Sequence, residues 1–203
     1  MTKAARVAVL DYGIGNLRSA QKALEKVGAD AELTSDAGVV AAADAVVLPG
    51  VGAFGACAAA LEAIPGMVEA LEERVLDGGA PFLGVCVGMQ LMATRGREMG
   101  EHAGLGWIAG EVVAIPPEPG LRVPHMGWND VTPTAPHPLI EAGEAYFLHG
   151  YVFTGDAVVA TTDHGGTRTA AIGRDNLLGV QFHPEKSQRY GLALLERFLA
   201  WRP

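Results

Sequence analysis

Cysteine is nearly absent from this sequence: among 203 residues there are two, Cys57 and Cys86. That scarcity excludes a disulfide-stapled secreted fold, and a chain this long can build its core without one. Aromatic residues make up only 6 %, and there is no basic excess, with 15 Lys and Arg against 23 Asp and Glu for a net charge of -8. Without a basic excess there is no general electrostatic footing on nucleic acid or an anionic membrane, so the charge reads as solubility. No apolar run reaches the roughly eighteen residues that span a bilayer. The opening stretch MTKAARVAVL leads into a strand pattern and not through a signal peptide, so a cytoplasmic protein is expected. Internal repeats, low-complexity tracts and linker-like stretches are also missing, and one domain over residues 1–203 is the expectation.

What is abundant is small and apolar: 49 % of the residues are hydrophobic and 27 are glycine, a composition suited to an α/β domain with short turns. In the first half, β-branched runs pass through glycine into helical periodicity: RVAVLDYGIGN before LRSAQKALEKVG, DAVVLPGVG before AFGACAAALEAI, PFLGVCVG before MQLMATRG. That alternation predicts βαβ units and a mostly parallel central sheet with flanking helices, whose chemistry-bearing loops lie at the carboxyl ends of the strands. After about residue 105, EVVAIPPEPG, RVPHMGWNDVTP, AYFLHGYVF, AVVATTD, TRTAAIG and LLGVQFHP read as successive strands between Pro, Gly and Asp turns, an antiparallel or mixed C-terminal extension. YGLALLERFLAWRP closes the chain as a helix.

Gly84-Val85-Cys86-Val87-Gly88 stands between a strand and a helix and has the glycine-x-nucleophile-x-glycine form of a nucleophile elbow. The glycines allow a sharp turn that leaves the thiol outward at a helix N-terminus, where the dipole and free N–H groups favour a thiolate and can hold an oxyanion. The same pattern also accommodates a small buried core residue, and Cys57, in an Ala-rich helical stretch, reads as that. A thiol nucleophile needs a base and an orienting group. GVQFHPEKSQ supplies both: His183 and Glu185 are two residues apart at a strand end, which places them on one face, with Pro184 fitting the end of a ladder. His102, His137 and His164 read as solvent-facing, His125 and His149 as structural, and no pair has zinc-site spacing, so neither metal nor cofactor is expected. DYGIGNLRS lacks the third glycine of a dinucleotide fingerprint and LPGVGAFG lacks the Lys-Ser/Thr of a P-loop, but the latter offers backbone N–H groups for an oxyanion opposite Cys86.

Taken together, in this order and at these separations, LPGVGAFG, GVCVGMQ and GVQFHPEKSQ resemble the class I glutamine amidotransferases over nearly the whole chain. DYGIGN, PHMGWN and FHPEKS narrow the resemblance to the glutaminase subunits of imidazole glycerol phosphate synthases. The resemblance implies that fold, with Cys86 as nucleophile, His183 as base and then acid, and Glu185 as the carboxylate that orients it. It further implies an oxyanion site at Gly50, Val51, Gly52 and the Val87 amide, and glutamine binding by Gln90, His149, Gly150 and Tyr151. Asn16, Trp128 and Lys186 fall on motifs facing a (β/α)₈-barrel cyclase subunit, the implied partner of a heterodimer that makes imidazole glycerol phosphate in histidine biosynthesis. Two departures stand out: Val85 and Val87 replace the more usual isoleucine and leucine around the cysteine, and Gly150 stands where the family commonly has serine or threonine. Glutaminases for other acceptors, cysteine hydrolases of the same architecture and a catalytically silent binding subunit are the competing classes. The FHPEKS and PHMGWN stretches oppose the first two, and retention of Cys86, His183 and Glu185 opposes the third.

Overall fold

The computed structural model describes residues 4–203; the first three residues of MTKAARVAVL lie outside them. β1 (Arg6–Leu10) leads into helix α1 (Leu17–Lys26), and β2 (Asp30–Thr34) leads into α2 (Ala37–Ala42). β3 (Ala45–Gly50) leads into α3 (Phe54–Glu62) and α4 (Met67–Leu71), which continues through a π-helical turn at Glu72–Asp77. β4 (Phe82–Cys86) then runs into α5 (Val87–Gln90). The strands β5 (Ala93–Gly96), β6 (His102–Ala103), β7 (Ile108–Ala114), β8 (His125–Pro133), β9 (Gly143–His149), β10 (Tyr151–Gly155), β11 (Val158–Asp163), β12 (Thr167–Arg174) and β13 (Leu177–Val180) follow. A 3-10 turn at Pro184–Lys186 and helix α6 (Gln188–Ala200) end the order.

The large sheet has the order β2-β1-β3-β4-β13-β12-β11-β8-β9. From β2 to β13 all neighbours are parallel, and from β13 to β9 all are antiparallel. β3 and β4 are buried at every position, as strands covered on both faces require, whereas β8 alternates between buried and exposed residues. The C-terminal extension thus starts mid-sheet: β13, from near the end of the chain, lies beside β4. Register aligns Gly50 with Cys86 and Val85 with Val180, so the carboxyl ends of β3, β4 and β13 meet at one edge.

Two elements differ from the sequence reading. AYFLHGYVF is not one strand: β9 belongs to the large sheet and β10 to a second sheet of order β10-β7-β5-β6. The break falls at Gly150, whose carbonyl accepts from Ile115 N at 3.0 Å. The helix after Cys86 closes after a single turn, because β5 begins at Ala93. The final helix does form: Gly191, Leu194, Leu195 and Phe198 make its buried stripe at i, i+3, i+4 and i+7. A Cβ on Gly191 would overlap the Pro184 carbonyl, so α6 lies directly on the 3-10 turn. No single helix among the described residues is long and apolar enough to cross a membrane.

Candidate active site

Cys86 ends β4 with φ 55 and ψ -112, a backbone conformation that costs a non-glycine residue about 1–3 kcal/mol and persists only where its surroundings impose it. The surroundings here are backbone packed on backbone. A Cβ on Gly84 would lie 2.7 Å from the Gly88 carbonyl oxygen, and one on Gly88 would overlap the Leu48 carbonyl of β3. The glycines of the motif therefore let β3, the turn and α5 pack against one another without intervening side chains. Since α5 is one turn long, little macrodipole acts on the thiol; the Val87 amide, at the helix start, lies beyond the reach of the helix ladder and is free for a ligand.

His183 and Glu185 meet, with Nδ1 of the imidazole 2.9 Å from Oε1 of the carboxylate and side-chain exposures of 2 % and 5 %. The reason differs from the one read in the sequence. β13 ends at Val180, His183 lies beyond it, and Glu185 is in the 3-10 turn, so a turn and not a strand brings them together. The turn is anchored: His183 N donates to Tyr146 O at 2.9 Å, Ser187 Oγ donates to His183 O at 2.7 Å, and Tyr146 N donates to Ser187 Oγ at 2.9 Å. Burial opposes a charged imidazole, but hydrogen bonds to Cys86 and Glu185 outweigh it and push His183 up to about 9. With Nδ1 engaged by Glu185, Nε2 is the nitrogen left for Cys86.

A cavity of about 250 Å³ opens at this edge, lined by Cys86, His183, Val51, Gly52, Val87 and Gln90, by the 148–151 segment, and by Glu98 and Pro124. This is the scale of an amino acid. Of the residues marked out in the sequence, it gathers Cys86, His183, Val51, Gly52, Val87, Gln90, His149, Gly150 and Tyr151. Gly50 lies just beneath, where a Cβ would meet Gly88 N at 2.7 Å and Val87 Cβ at 2.9 Å. Gln90 Nε2 donates to Tyr151 O at 3.2 Å and to Gln181 Oε1 at 3.1 Å, which leaves its own carbonyl oxygen unspent.

Along the cavity wall, Nδ1 of His149 donates to Tyr151 O at 2.9 Å, so its Nε2 accepts from Nδ1 of His125 at 3.2 Å. Nε2 of His125 then accepts from Asn129 Nδ2 at 3.1 Å, and Asn129 also donates to Asp163 O. The structural reading of His125 thus matches its bonding. His164 is half-buried: it stacks on His125 with centroids 4.0 Å apart, and its Nε2 bonds Arg122 O. His137 packs edge-on against Trp201, and His102 bonds Glu98 O, so these two are only partly exposed.

Trp128 is 48 % exposed beside the 64 % exposed Met126, and its ring stands edge-on to Tyr146 at 6.2 Å. Lys186 Nζ lies 5.9 Å over the same Tyr146 ring. Asn16 precedes α1, which packs on the turn carrying Lys186, and its side chain makes no capping bond.

Three residues at the site escaped the sequence reading. Gln181 Nε2 lies 3.7 Å from Cys86 Sγ; its position two residues before His183 was a usable signal. Glu98, the one carboxylate in the cavity wall, sits in a loop whose sequence carries no pattern. Tyr12 belongs to DYGIGN, which marks the stretch without giving the ring a task.

A family model described as glutamine amidotransferase class-I matches residues 8–201. The imidazole glycerol phosphate synthase subunit HisH of Zymomonas mobilis is 58 % identical, over 97 % of this chain and 96 % of its own length. The HisH of Brucella suis is 51 % identical, over 98 % of this chain and 100 % of its own. The chain belongs to the class I glutamine amidotransferases, in the HisH family. Solved structures agree in fold: a glutamine amidotransferase superposes with TM-score 0.74 at 21 % identity, covering 96 % of this chain and 97 % of its own. PurLQS from Thermotoga maritima gives 0.71 at 20 %, covering 98 % and 99 %. Within this HisH-family chain, the remote likenesses share the class I fold, while the high-identity relatives single out the subunit.

Proposed function

We propose that Cys86, His183 and Glu185 hydrolyse glutamine to glutamate and ammonia, and that the ammonia passes to a cyclase subunit. The observation that carries this reading is the strained Cys86 facing a histidine whose other nitrogen is fixed by a buried carboxylate at 2.9 Å. As a HisH-family chain the protein is the glutamine amidotransferase subunit of imidazole glycerol phosphate synthase, in histidine biosynthesis.

With a proton already on Nε2 of His183, whose affinity for it is raised, the Cys86 sulfur adds to the side-chain amide carbon of glutamine. The oxyanion is held by the Val87 amide and an amide of the Gly50-Val51-Gly52 loop, each such donor supplying roughly 3–4 kcal/mol of barrier lowering. His183 gives its proton to the departing nitrogen, the carbon–nitrogen bond breaks, and ammonia leaves a thioester on Cys86. Water, giving a proton to the same imidazole, adds to the thioester; collapse releases glutamate and frees the sulfur beside the protonated ring. Glu185 holds the ring throughout. At the other end of the substrate, Glu98 answers the α-ammonium, and Gln90 and the His149-Gly150-Tyr151 segment fix the amino-acid end.

Ammonia free in neutral water is mostly ammonium and a poor nucleophile, so transfer within a complex is what makes the hydrolysis useful. The exposed Met126 and Trp128, with Lys186 and Asn16, suit a docking face for the cyclase beside the cavity. Residues 1–203 act as one unit, and the setting is the cytoplasm.

The test is glutamate release by the purified chain, alone and with the cyclase and its ribotide ligand. A low rate alone, a large rise with both, and loss in Cys86→Ala are expected. Release that survives Cys86→Ala would overturn the assignment.

A further inference from the structure

Gln181 follows β13 directly, is fully buried and does not line the cavity, yet both ends of its side-chain amide are engaged by residues that do. Its Oε1 accepts from Gln90 Nε2 at 3.1 Å, and its Nε2 donates to Cys86 Sγ at 3.7 Å. The other hydrogen of the Gln90 amide goes to Tyr151 O at 3.2 Å. Two side-chain amides thus stand in line between two outer groups, a backbone carbonyl and a sulfur. The carbonyl can only accept, and so can the sulfur when the proton of the pair is on His183.

A glutamine amide is nearly symmetric in shape. Turned half over, it exchanges C=O for NH₂ with little change in packing, so its hydrogen bonds decide which end faces a ligand. Neither outer acceptor of this row can face an oxygen. Tyr151 O therefore takes an N–H of Gln90, and Sγ takes an N–H of Gln181, which turns the Gln181 oxygen to the second N–H of Gln90. Both Gln90 hydrogens are then spent within the wall, and the atom left for the cavity is its oxygen. An oxygen there attracts the α-ammonium of an amino acid, whereas an NH₂ in its place repels it.

We infer that Gln181 is a positioning residue for substrate selection: it keeps the Gln90 oxygen facing the cavity, as an acceptor for the α-ammonium of glutamine beside Glu98. The inference rests on the reading of Cys86 as nucleophile and of Gln90 as a contact for the amino-acid end.

The test uses the full chain in complex with the cyclase and its ribotide ligand. Two substrates are compared on each protein: glutamine, and 4-carbamoylbutanoate, which is glutamine without its α-amino group. Gln181→Met keeps the side-chain length and removes both hydrogen bonds, and Gln181→Asn carries an amide too short to reach both partners. In Gln181→Met, kcat/KM for glutamine should fall roughly 5- to 50-fold, mostly through KM, while kcat/KM for the analogue stays within about threefold, because only glutamine offers the charged donor. The ratio of the two does not depend on how much of a variant is folded, and Gln181→Asn should lower the same ratio. With Gln90→Met already present, Gln181→Met should change the ratio by less than about twofold, since nothing remains to be positioned. Equal losses with both substrates, as a role on the sulfur alone would give, overturn the inference, and so does a wild-type ratio in both variants. Either result leaves the nucleophile reading intact; Cys86→Ala with undiminished hydrolysis overturns that reading itself.

Discussion

His183 is 2 % exposed, and the neighbouring His125 and His149 are 3 % and 6 % exposed, yet the three hold their protons very differently. His183 is pushed up to about 9, while His125 and His149 are pushed down to about 4 and about 3. Burial disfavours the imidazolium in all three, and the difference lies in the partners. His183 has the carboxylate of Glu185 on Nδ1 and the Cys86 thiol beyond its other nitrogen. His149 has a carbonyl and a histidine, and His125 has a histidine and an amide, with His164 stacked on its ring adding further repulsion to a second charge. The comparison teaches that in this site the proton-carrying histidine is marked by the ionisable acid groups facing it, and the wall histidines by neutral or basic partners alone.

The largest break in that comparison comes from Glu185→Gln. Of the two groups that counter burial, Cys86 and Glu185, it removes the carboxylate, so His183 should hold its proton less tightly, and its ring should lose the tautomer that leaves Nε2 for Cys86. Glutaminase kcat in the complex should drop roughly 10²- to 10⁴-fold, the range seen when the orienting acid of such triads is replaced. The pH dependence of stability should change with it. A group that binds its proton more tightly when folded stabilises the protein below its unfolded pKa, and that contribution is lost as pH rises from about 6.5 through about 9. Wild type should therefore lose stability across this window in urea titrations, and Glu185→Gln should lose markedly less; equal slopes would remove Glu185 as the cause.

His125→Phe cuts the other set while keeping an aromatic ring between Phe147, stacked at 4.7 Å, and His164. It takes the donor away from His149 Nε2 and the acceptor away from Asn129, so unfolding free energy at pH 7 should fall by about 1–3 kcal/mol. The pH effect here has the opposite sign. Histidines whose folded pKa is depressed lose stability as pH falls from about 6.5 toward 4, because the unfolded chain takes up protons first. That acid limb should be shallower in the variant, and kcat should change little, because His149 keeps its bond to Tyr151 O.

Which set a histidine belonged to was only partly legible in the sequence. Cys86 stood out because an elbow needs glycines at fixed local offsets, and His183 and Glu185 because residues two positions apart, with only Pro184 between, lie within one side chain's reach whether the backbone is a strand or a turn. The inference about their face therefore arrived at two side chains that do meet, through the wrong local structure. Local pattern could not show that β13 inserts beside β4, that β9 and β10 part company at Gly150, or that Tyr12 and Glu98 converge on the segment after β3, where Glu98 Oε2 accepts from Phe54 N at 2.7 Å. Those are products of long-range register. The stacking of His164 was illegible for the same reason, since its partner His125 lies 39 positions earlier in the chain.

The finest test of the wall is at Gly150, between His149 and Tyr151. Its φ lies outside the left-handed region, and an added Cβ would meet only Val123 Cγ1 at 3.8 Å, an ordinary van der Waals contact, so Gly150→Ser should fold as wild type does. The new hydroxyl would stand in the cavity wall as one more hydrogen-bond donor for the amino-acid end of glutamine. One such bond contributes about 0.5–1.5 kcal/mol net, so KM should fall by roughly 2- to 10-fold while kcat, set at the Cys86 end, stays within about twofold. Steady-state glutaminase kinetics of the complex separate the two constants. A change in kcat without one in KM would mean that the 149–151 segment acts on the reacting end, and that the wall and His183 are less separate than their proton affinities imply.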